Sequence, residues 1–315
     1  MASFALLFPG QGAQHVGMGQ ALHAAFPLVR ETFEEAADAT GVDFARLMFE
    51  GPETELRKTQ NAQPAILIHS VACLRLLRQS GIEGEFAAGH SLGEYSAHVA
   101  AGSLAFHEAV AIVRLRGELM YEAGLRRPGT MAAILGLTSA ELEPVISGAA
   151  AAGVVVAANL NAPTQVVISG EIDAVERAID RARAAGAKRA VKLEVSGAFH
   201  SPLMTSASQG LAEVLDATAI TEARFPVIAN SSAQPVAAPA EIRAALEQQL
   251  TQPVRWEESM RWLIAAGIAG AVELGPGTVL KGLARAIDPA LRVHSVSDPA
   301  GLEAAVSILL GAGWV

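Results

Sequence analysis

Cysteine is nearly absent: Cys73 is the only one in 315 residues. That excludes an intrachain disulfide framework and a site built on paired thiolates, and it fits a reducing compartment. Cys73 lies in the apolar stretch 66–77, the setting of an inert core thiol. Basic charge is scarce too. With 23 Lys and Arg against 32 Asp and Glu the formal net charge is −9, so the chain lacks the basic surface on which unspecific nucleic-acid binding draws. An acidic partner would need a local basic patch. No uninterrupted apolar run reaches the roughly 18 residues of a membrane span, and the mean hydropathy of +0.33 is raised by alanine. No basic segment precedes the apolar residues in Met1-Ala2-Ser3-Phe4, which argues against a secretory signal and for a cytoplasmic protein. Internal repeats are lacking. So is a phosphate loop: His15 stands where the third glycine of G-x-G-x-x-G belongs, and no Gly-Lys-Ser/Thr follows.

What is present is a large apolar content, 51% of residues, in a chain longer than one core usually serves, so a main domain with a smaller one is expected. Phe4-Ala5-Leu6-Leu7-Phe8 reads as a buried strand ended by Pro9-Gly10-Gln11-Gly12, a tight loop able to present N–H groups to a neighbouring site. A second short strand, 85–88, runs into Gly89-His90-Ser91-Leu92-Gly93, followed by helical sequence to Ala101. A serine between two glycines at a strand-to-helix turn is lifted above the sheet edge, which makes Ser91 the candidate nucleophile. Segments 21–39 and 64–79 have helical spacing, whereas Gly51-Pro52-Glu53 and the polar run Arg57–Gln63 read as surface loop. Gln63 is assigned no role beyond a cavity wall.

In the helix predicted over 109–120, Arg116 falls near the middle of an apolar arc that includes Val113, Gly117 and Met120. Arg114 and Glu118 lie on the polar edge as a solvated pair. A guanidinium in a buried arc needs an anion, and none occurs nearby on that face. Either a structural salt bridge to a distant acid or a substrate anion would supply it. After a hinge-like stretch at Gly124–Gly129, strands at 130–136, 154–159, 165–169 and 190–195 and helices at 139–150 and 172–185 follow in the order β-α-β-β-α-β, the ferredoxin-like unit. The expected fold is therefore α/β. A large α/β-hydrolase-like domain with a parallel sheet core (1–125 and 195–315) carries an inserted small ferredoxin-like α+β domain (126–194). Ser196–Pro202 lies at their junction, where clefts for small ligands are favoured.

Ser91 needs a base. His90 is its chain neighbour and points the other way, and His98 is about 10 Å further along a helix. His23, His69 and His107 lie in scaffold helices, and His15 and His294 have no distinguishing context. His200, in a glycine-containing turn at the domain junction, is the best candidate. The acids between Ser91 and His200 sit mostly on charged helix faces, so a dyad whose histidine is held by a backbone carbonyl is expected. With Arg116, the set suggests acyl transfer on an acid-bearing acyl group.

The runs Phe8-Pro9-Gly10-Gln11-Gly12, Gly89-His90-Ser91-Leu92-Gly93-Glu94-Tyr95, Arg116, Gly197-Ala198-Phe199-His200-Ser201-Pro202, Asn230-Ser231 and Gly275-Pro276-Gly277 resemble, in order and over nearly the whole chain, the malonyl-CoA:acyl carrier protein transacylases. The resemblance implies a ping-pong transfer of malonyl through a Ser91 ester, from coenzyme A thioester to the phosphopantetheine thiol of acyl carrier protein, in fatty-acid synthesis. It implies His200 as base, the Gln249 main-chain carbonyl as its orienter, Gln11 and Leu92 N–H groups as oxyanion hole, and Arg116 on the malonyl carboxylate. Asn159 and Asn161 correspond to the coenzyme channel, or cap a turn between two strands. Leu92, with Phe199 in the histidine run, favours unbranched malonyl over branched units. Leu125-Arg126-Arg127-Pro128-Gly129 is shorter and more basic than in the family and is a carrier-docking candidate. No permanent cofactor or metal, no nucleic-acid or membrane partner, and a monomer are expected. The alternatives are a discrete acyltransferase of polyketide synthesis, a serine thioesterase or hydrolase with the same elbow, and a non-catalytic carrier-binding module.

Overall fold

The computed structural model describes residues 3–311, so the Met1-Ala2 part of the N-terminal expectation lies outside them. Its strands are β1 (Phe4–Phe8), β2 (Phe86–Gly89), β3 (Gly129–Leu135), β4 (Val155–Ala162), β5 (Gln165–Glu171), β6 (Arg189–Lys192), β7 (Val227–Ile228), β8 (Pro235–Val236), β9 (Gly270–Leu274) and β10 (Arg292–Val296). They form two sheets, ordered β10-β9-β1-β2-β7-β8 and β4-β5-β3-β6. The first is parallel apart from β8, which pairs antiparallel at its edge. The second is antiparallel throughout.

β1 is apolar at every position because both faces of its sheet are covered. Leu6 and Phe8 enter one core with the helices Thr59–Gln79 and Phe106–Arg126; Ala5 and Leu7 enter another with Trp256, Leu280 and Leu283. Since β1, β2 and β9 run parallel, the loops after Phe8, Gly89 and Leu274 all leave from one edge, with β2 and β9 diverging on either side of β1. Such a crevice is where open α/β sheets bind ligands. The helices Ser139–Ala149 and Ile172–Ala184 cover one face of the second sheet through Ile134, Val166 and Ile168, while Met131 and Val167 turn toward the large core. β4 is tied to the rest of the chain by Leu160 N–H to Val254 O and Val254 N–H to Ala158 O, both 2.8 Å.

Three expectations are corrected. The helix expected over 21–39 is two, Gln20–Ala25 and Pro27–Thr40, broken at Phe26, whose extended backbone is what a following proline imposes. Arg57–Gln63 is not a surface loop, because the helix begins at Thr59 and carries Pro64 inside it. Pro64 has no N–H for the Gln60 carbonyl four residues back, and Arg114 Nη1 donates to that oxygen at 3.1 Å. Arg114 thus repairs the helix while also holding Glu118 at 2.7 Å. Gly124 is no hinge: the helix runs on to Arg126, and a Cβ at Gly124 would lie 2.3 Å from the Ser196 carbonyl oxygen. Beyond Gly277 the helices Val279–Ile287 and Pro299–Leu310 and the strand β10 complete the large sheet's flank, none of which the sequence pattern identified. No helix among the described residues is long and apolar enough to cross a membrane, and Cys73 is buried, with burial pushing its thiol pKa up.

Burial pushes His69 down to about 4 and His98 down to about 3. Both stay neutral when folded while the unfolded chain protonates near 6.5, so they contribute stability that is lost as pH falls below 6.5 toward the folded values. Each costs about 2 kcal/mol at pH 5. Buried carboxyls act in the opposite sense, so the histidine contribution is isolated by difference. His98→Gln should flatten the fall in urea midpoint between pH 7 and pH 5, and an unchanged slope would assign the acid sensitivity elsewhere.

Candidate active site

Ser91 sits two residues after the end of β2, with φ of 52°, in the left-handed region that few non-glycine residues adopt. The flanking glycines are required by close approach: a Cβ at Gly89 would lie 1.9 Å from the Gly93 carbonyl, and one at Gly93 2.1 Å from the Phe8 carbonyl oxygen. The strained turn is pinned from outside. His90 N–H donates to Phe8 O at 2.9 Å and Ser91 N–H to Asn230 Oδ1 at 2.7 Å, while Asn230 Nδ2 donates to Gly89 O at 2.6 Å. The helix Gly93–Ala101 follows at once, so its first turn and positive end lie beside the serine.

His200 reaches Ser91 from the segment after β6, also at a strained φ, 55°. Its Nε2 is 2.8 Å from Ser91 Oγ, and its Nδ1 lies 2.9 Å from the Gln249 carbonyl and 3.2 Å from the Gln252 carbonyl. Two carbonyl acceptors fix the proton on Nδ1 and turn the Nε2 lone pair to the serine. No carboxylate bonds the ring among the described residues, so the pair is a dyad of the kind expected. Burial, and next the Arg116 charge, push His200 down to about 3.

Arg116 is 1% exposed. Its Nη1 donates to Gln63 Oε1, and its Nη2 to Gln249 Oε1 at 2.8 Å and to Ser91 Oγ at 3.2 Å. All three acceptors are neutral. Among the described residues no ion pair is made, so the structural salt bridge left open by the sequence is not formed. The acid whose charge Arg116 feels is Glu94, fully buried, whose Oε2 accepts from Gln249 Nε2 at 2.6 Å and from Asn230 N–H at 3.2 Å. Burial pushes the Glu94 carboxyl up to about 7, against the pull of those two donors and of Arg116. Gln63, read from sequence as loop, is a buried partner of Arg116. Its Nε2 lies 3.0 Å from Thr59 Oγ1, which donates to Gln11 Oε1 at 2.7 Å.

These groups converge on a cavity of about 370 Å³ lined by Gln11, Gln63, Ser91, Leu92, Arg116, Met120, Asn159, Phe199 and His200. Gln11, Leu92, Asn159 and Phe199 thus line the same cavity as Ser91. Asn161 does not: it is buried behind the cleft, with Oδ1 2.8 Å from His90 Nε2. Neither asparagine caps a turn, since both belong to β4. Of the basic stretch, Arg126 is held by Glu122 at 3.2 Å and Arg127 by Glu171 at 3.3 Å. Among the described residues no group of three or more His, Cys, Asp or Glu is placed to hold a metal ion. The site can hold a neutral base against a hydroxyl and a cation 3.2 Å from that same oxygen, the layout for esterifying a serine with an acid-bearing acyl group.

Residues 5–298 match the acyl transferase domain. The chain is 48% identical over 310 residues to the malonyl CoA-acyl carrier protein transacylase of Bacillus subtilis, covering 98% of each chain. Against that of Escherichia coli K12 it is 43% identical over 309 residues, covering 98% of this chain and 100% of the other. Among solved structures, a malonyl-transacylase in complex with a type II PKS acyl-carrier protein superimposes with a TM-score of 0.94 at 43% identity, covering 97% of this chain and 99% of that one. The malonyl CoA-acyl carrier protein transacylase of Coxiella burnetii gives 0.94 at 41% identity, covering 97% of each. With the serine elbow, its histidine and the buried arginine in one cleft, the chain belongs to the malonyl CoA-acyl carrier protein transacylase family of acyl transferases.

Proposed function

We propose that this protein moves malonyl from malonyl-CoA to the phosphopantetheine thiol of acyl carrier protein in fatty-acid synthesis, through a Ser91 ester. The observation that carries this reading is the position of Ser91 Oγ, 2.8 Å from His200 Nε2 and 3.2 Å from Arg116 Nη2. His200 Nε2 takes the hydroxyl proton as Oγ attacks the thioester carbonyl. The oxyanion is received by the N–H groups of Gln11 and Leu92. Collapse breaks the C–S bond as His200 gives that proton to the departing sulfur, so coenzyme A leaves as the thiol and the imidazole is neutral again. The carrier thiol then gives its proton to His200, attacks the ester, and Ser91 is regenerated.

Arg116 holds the free malonyl carboxylate throughout. Asn159, beside the cleft, contacts the coenzyme, and Leu92 with Phe199 shapes the pocket for an unbranched acyl chain. Asn161 acts behind them, through His90. Residues 1–125 and 195–315 form the α/β-hydrolase-like catalytic domain and 126–194 the ferredoxin-like insert, whose strand order β4-β5-β3-β6 with both helices on one face supports that name. The enzyme works as a cytoplasmic monomer without a permanent cofactor. A polyketide carrier is the second reading, favoured by the likeness to the PKS complex.

Intact-mass measurement after mixing with malonyl-CoA should show one malonyl adduct, absent in Ser91→Ala and discharged by holo carrier protein. Discharge to free malonate as fast as to the carrier would make the protein a thioesterase. An adduct that persists in Ser91→Ala, or none at all, would leave only carrier binding. Fatty-acid and polyketide carriers compared side by side decide the pathway.

A further inference from the structure

The buried Glu94 is not needed by the transfer steps above, yet it joins three parts of the site. On one side it accepts the Asn230 N–H at 3.2 Å, and Asn230 in turn holds the Ser91 backbone at 2.7 Å. On the other it accepts from Gln249 Nε2 at 2.6 Å, the shorter of that nitrogen's two bonds, the second going to the Ser91 carbonyl at 3.0 Å, while the oxygen of the same amide faces Arg116 at 2.8 Å. An amide turned the other way would present N–H groups to the guanidinium and an oxygen to Glu94, leaving donors and acceptors mismatched among fully buried groups. Glu94 is exposed at 0% and forms no ion pair among the described residues. A direct pair with Arg116 would neutralise the cation that must meet a ligand. With one amide between them, the acid orients the arginine and leaves its charge available.

We propose that Glu94 is a positioning residue: through the Gln249 side-chain amide it aims Arg116 at the acyl carboxylate and so sets the preference for an acid-bearing acyl group. This rests on the malonyl-transfer reading. Both bonds fall on one oxygen, Oε2, which accepts whether the carboxyl is ionised or carries a proton on Oε1. The requirement is thus for an acceptor at that point, and a glutamine oxygen meets it.

The test compares single-turnover loading of malonyl-CoA and acetyl-CoA. Glu94→Ala should lower the malonyl-to-acetyl ratio about 10- to 100-fold, the scale of a lost hydrogen bond to a charged group, and Glu94→Gln should restore most of it. In an Arg116→Ala background Glu94→Ala should leave the ratio where Arg116→Ala put it, since both act through one group. Equal losses for both acyl groups, a Glu94→Gln variant as impaired as Glu94→Ala, or a further drop in the double variant would each overturn the proposal. A second readout needs no substrate. Of the Gln249 side-chain amide protons, assigned by their loss in Gln249→Leu, the one donated to Glu94 should exchange faster in Glu94→Ala than in the wild type and Glu94→Gln, while the one donated to the Ser91 carbonyl keeps its acceptor. Equal exchange in all three would refute the role of Glu94, whereas a wild type that takes up no malonyl would refute the transfer reading and leave the amide result to decide this one.

Discussion

Replacing His200 with alanine is expected to slow acylation of Ser91 by about 10²- to 10⁴-fold, the usual contribution of a positioned general base. The hydroxyl then has to lose its proton without the Nε2 lone pair that stands 2.8 Å away. The elbow itself should survive, because its strain is held by Asn230, Phe8 and the helix that follows rather than by the imidazole. Quench-flow measurement of the malonyl adduct would read the rate, with circular dichroism to check folding. A loss smaller than tenfold would remove His200 from the proton transfer.

The pH dependence is the finer check. Neutral imidazole is the working form, and burial with the Arg116 charge holds His200 down to about 3. Acylation should therefore stay level from pH 8 to pH 5, with no fall near 6.5, where an ordinary histidine would protonate. Once the serine is esterified, the malonyl carboxylate offsets Arg116 and removes one of the causes of that depression. The histidine pKa then rises, and the acid limb of the discharge step should appear at higher pH than that of acylation. A shared limb at 6.5 would mean that His200 is solvated.

Local chemistry was legible in the sequence wherever one segment carried the whole signal. The five apolar residues of β1, the glycines around Ser91 and the placing of Arg116 on a buried arc each follow from spacing alone, and all stand in the fold. His200 could be reached by eliminating histidines bound to scaffold helices. Gln63 could not. Its polar neighbours Arg57–Gln63 look like loop, and only the partner helix, with Arg114 capping the carbonyl freed by Pro64, turns them into a buried helical start. Asn159 and Asn161 share one strand, but β4 slips register between Leu160 and Ala162, and the fold sends the second asparagine to His90. Asn230 and Glu94 carry no local signal at all: their partners lie 136 to 155 positions away in the chain, and a polar residue in a motif run does not announce which distant backbone it will hold.

Arg116→Ala should produce the largest change in selectivity. Truncating one partner of a buried, hydrogen-bonded charge pair costs 2–5 kcal/mol, so malonyl loading should fall about 30- to 4,000-fold, while acetyl, with no carboxylate to pair, loses far less. The variant is expected to fold. Without the guanidinium, Glu94 loses one of the influences lowering its pKa, so it rises above about 7 and the acid takes up a proton instead of remaining as a lone buried charge. The same substitution removes the second-largest cause depressing His200. Its pKa must then rise, and the acid limb of the residual acetyl loading should move to higher pH than in the wild type. Both shifts come from one missing cation, so they separate recognition from general damage: a misfolded site would lose both acyl groups together and leave the limb in place. Equal losses of malonyl and acetyl would sink the carboxylate role of Arg116, and an unmoved limb would show that its charge does not reach the base.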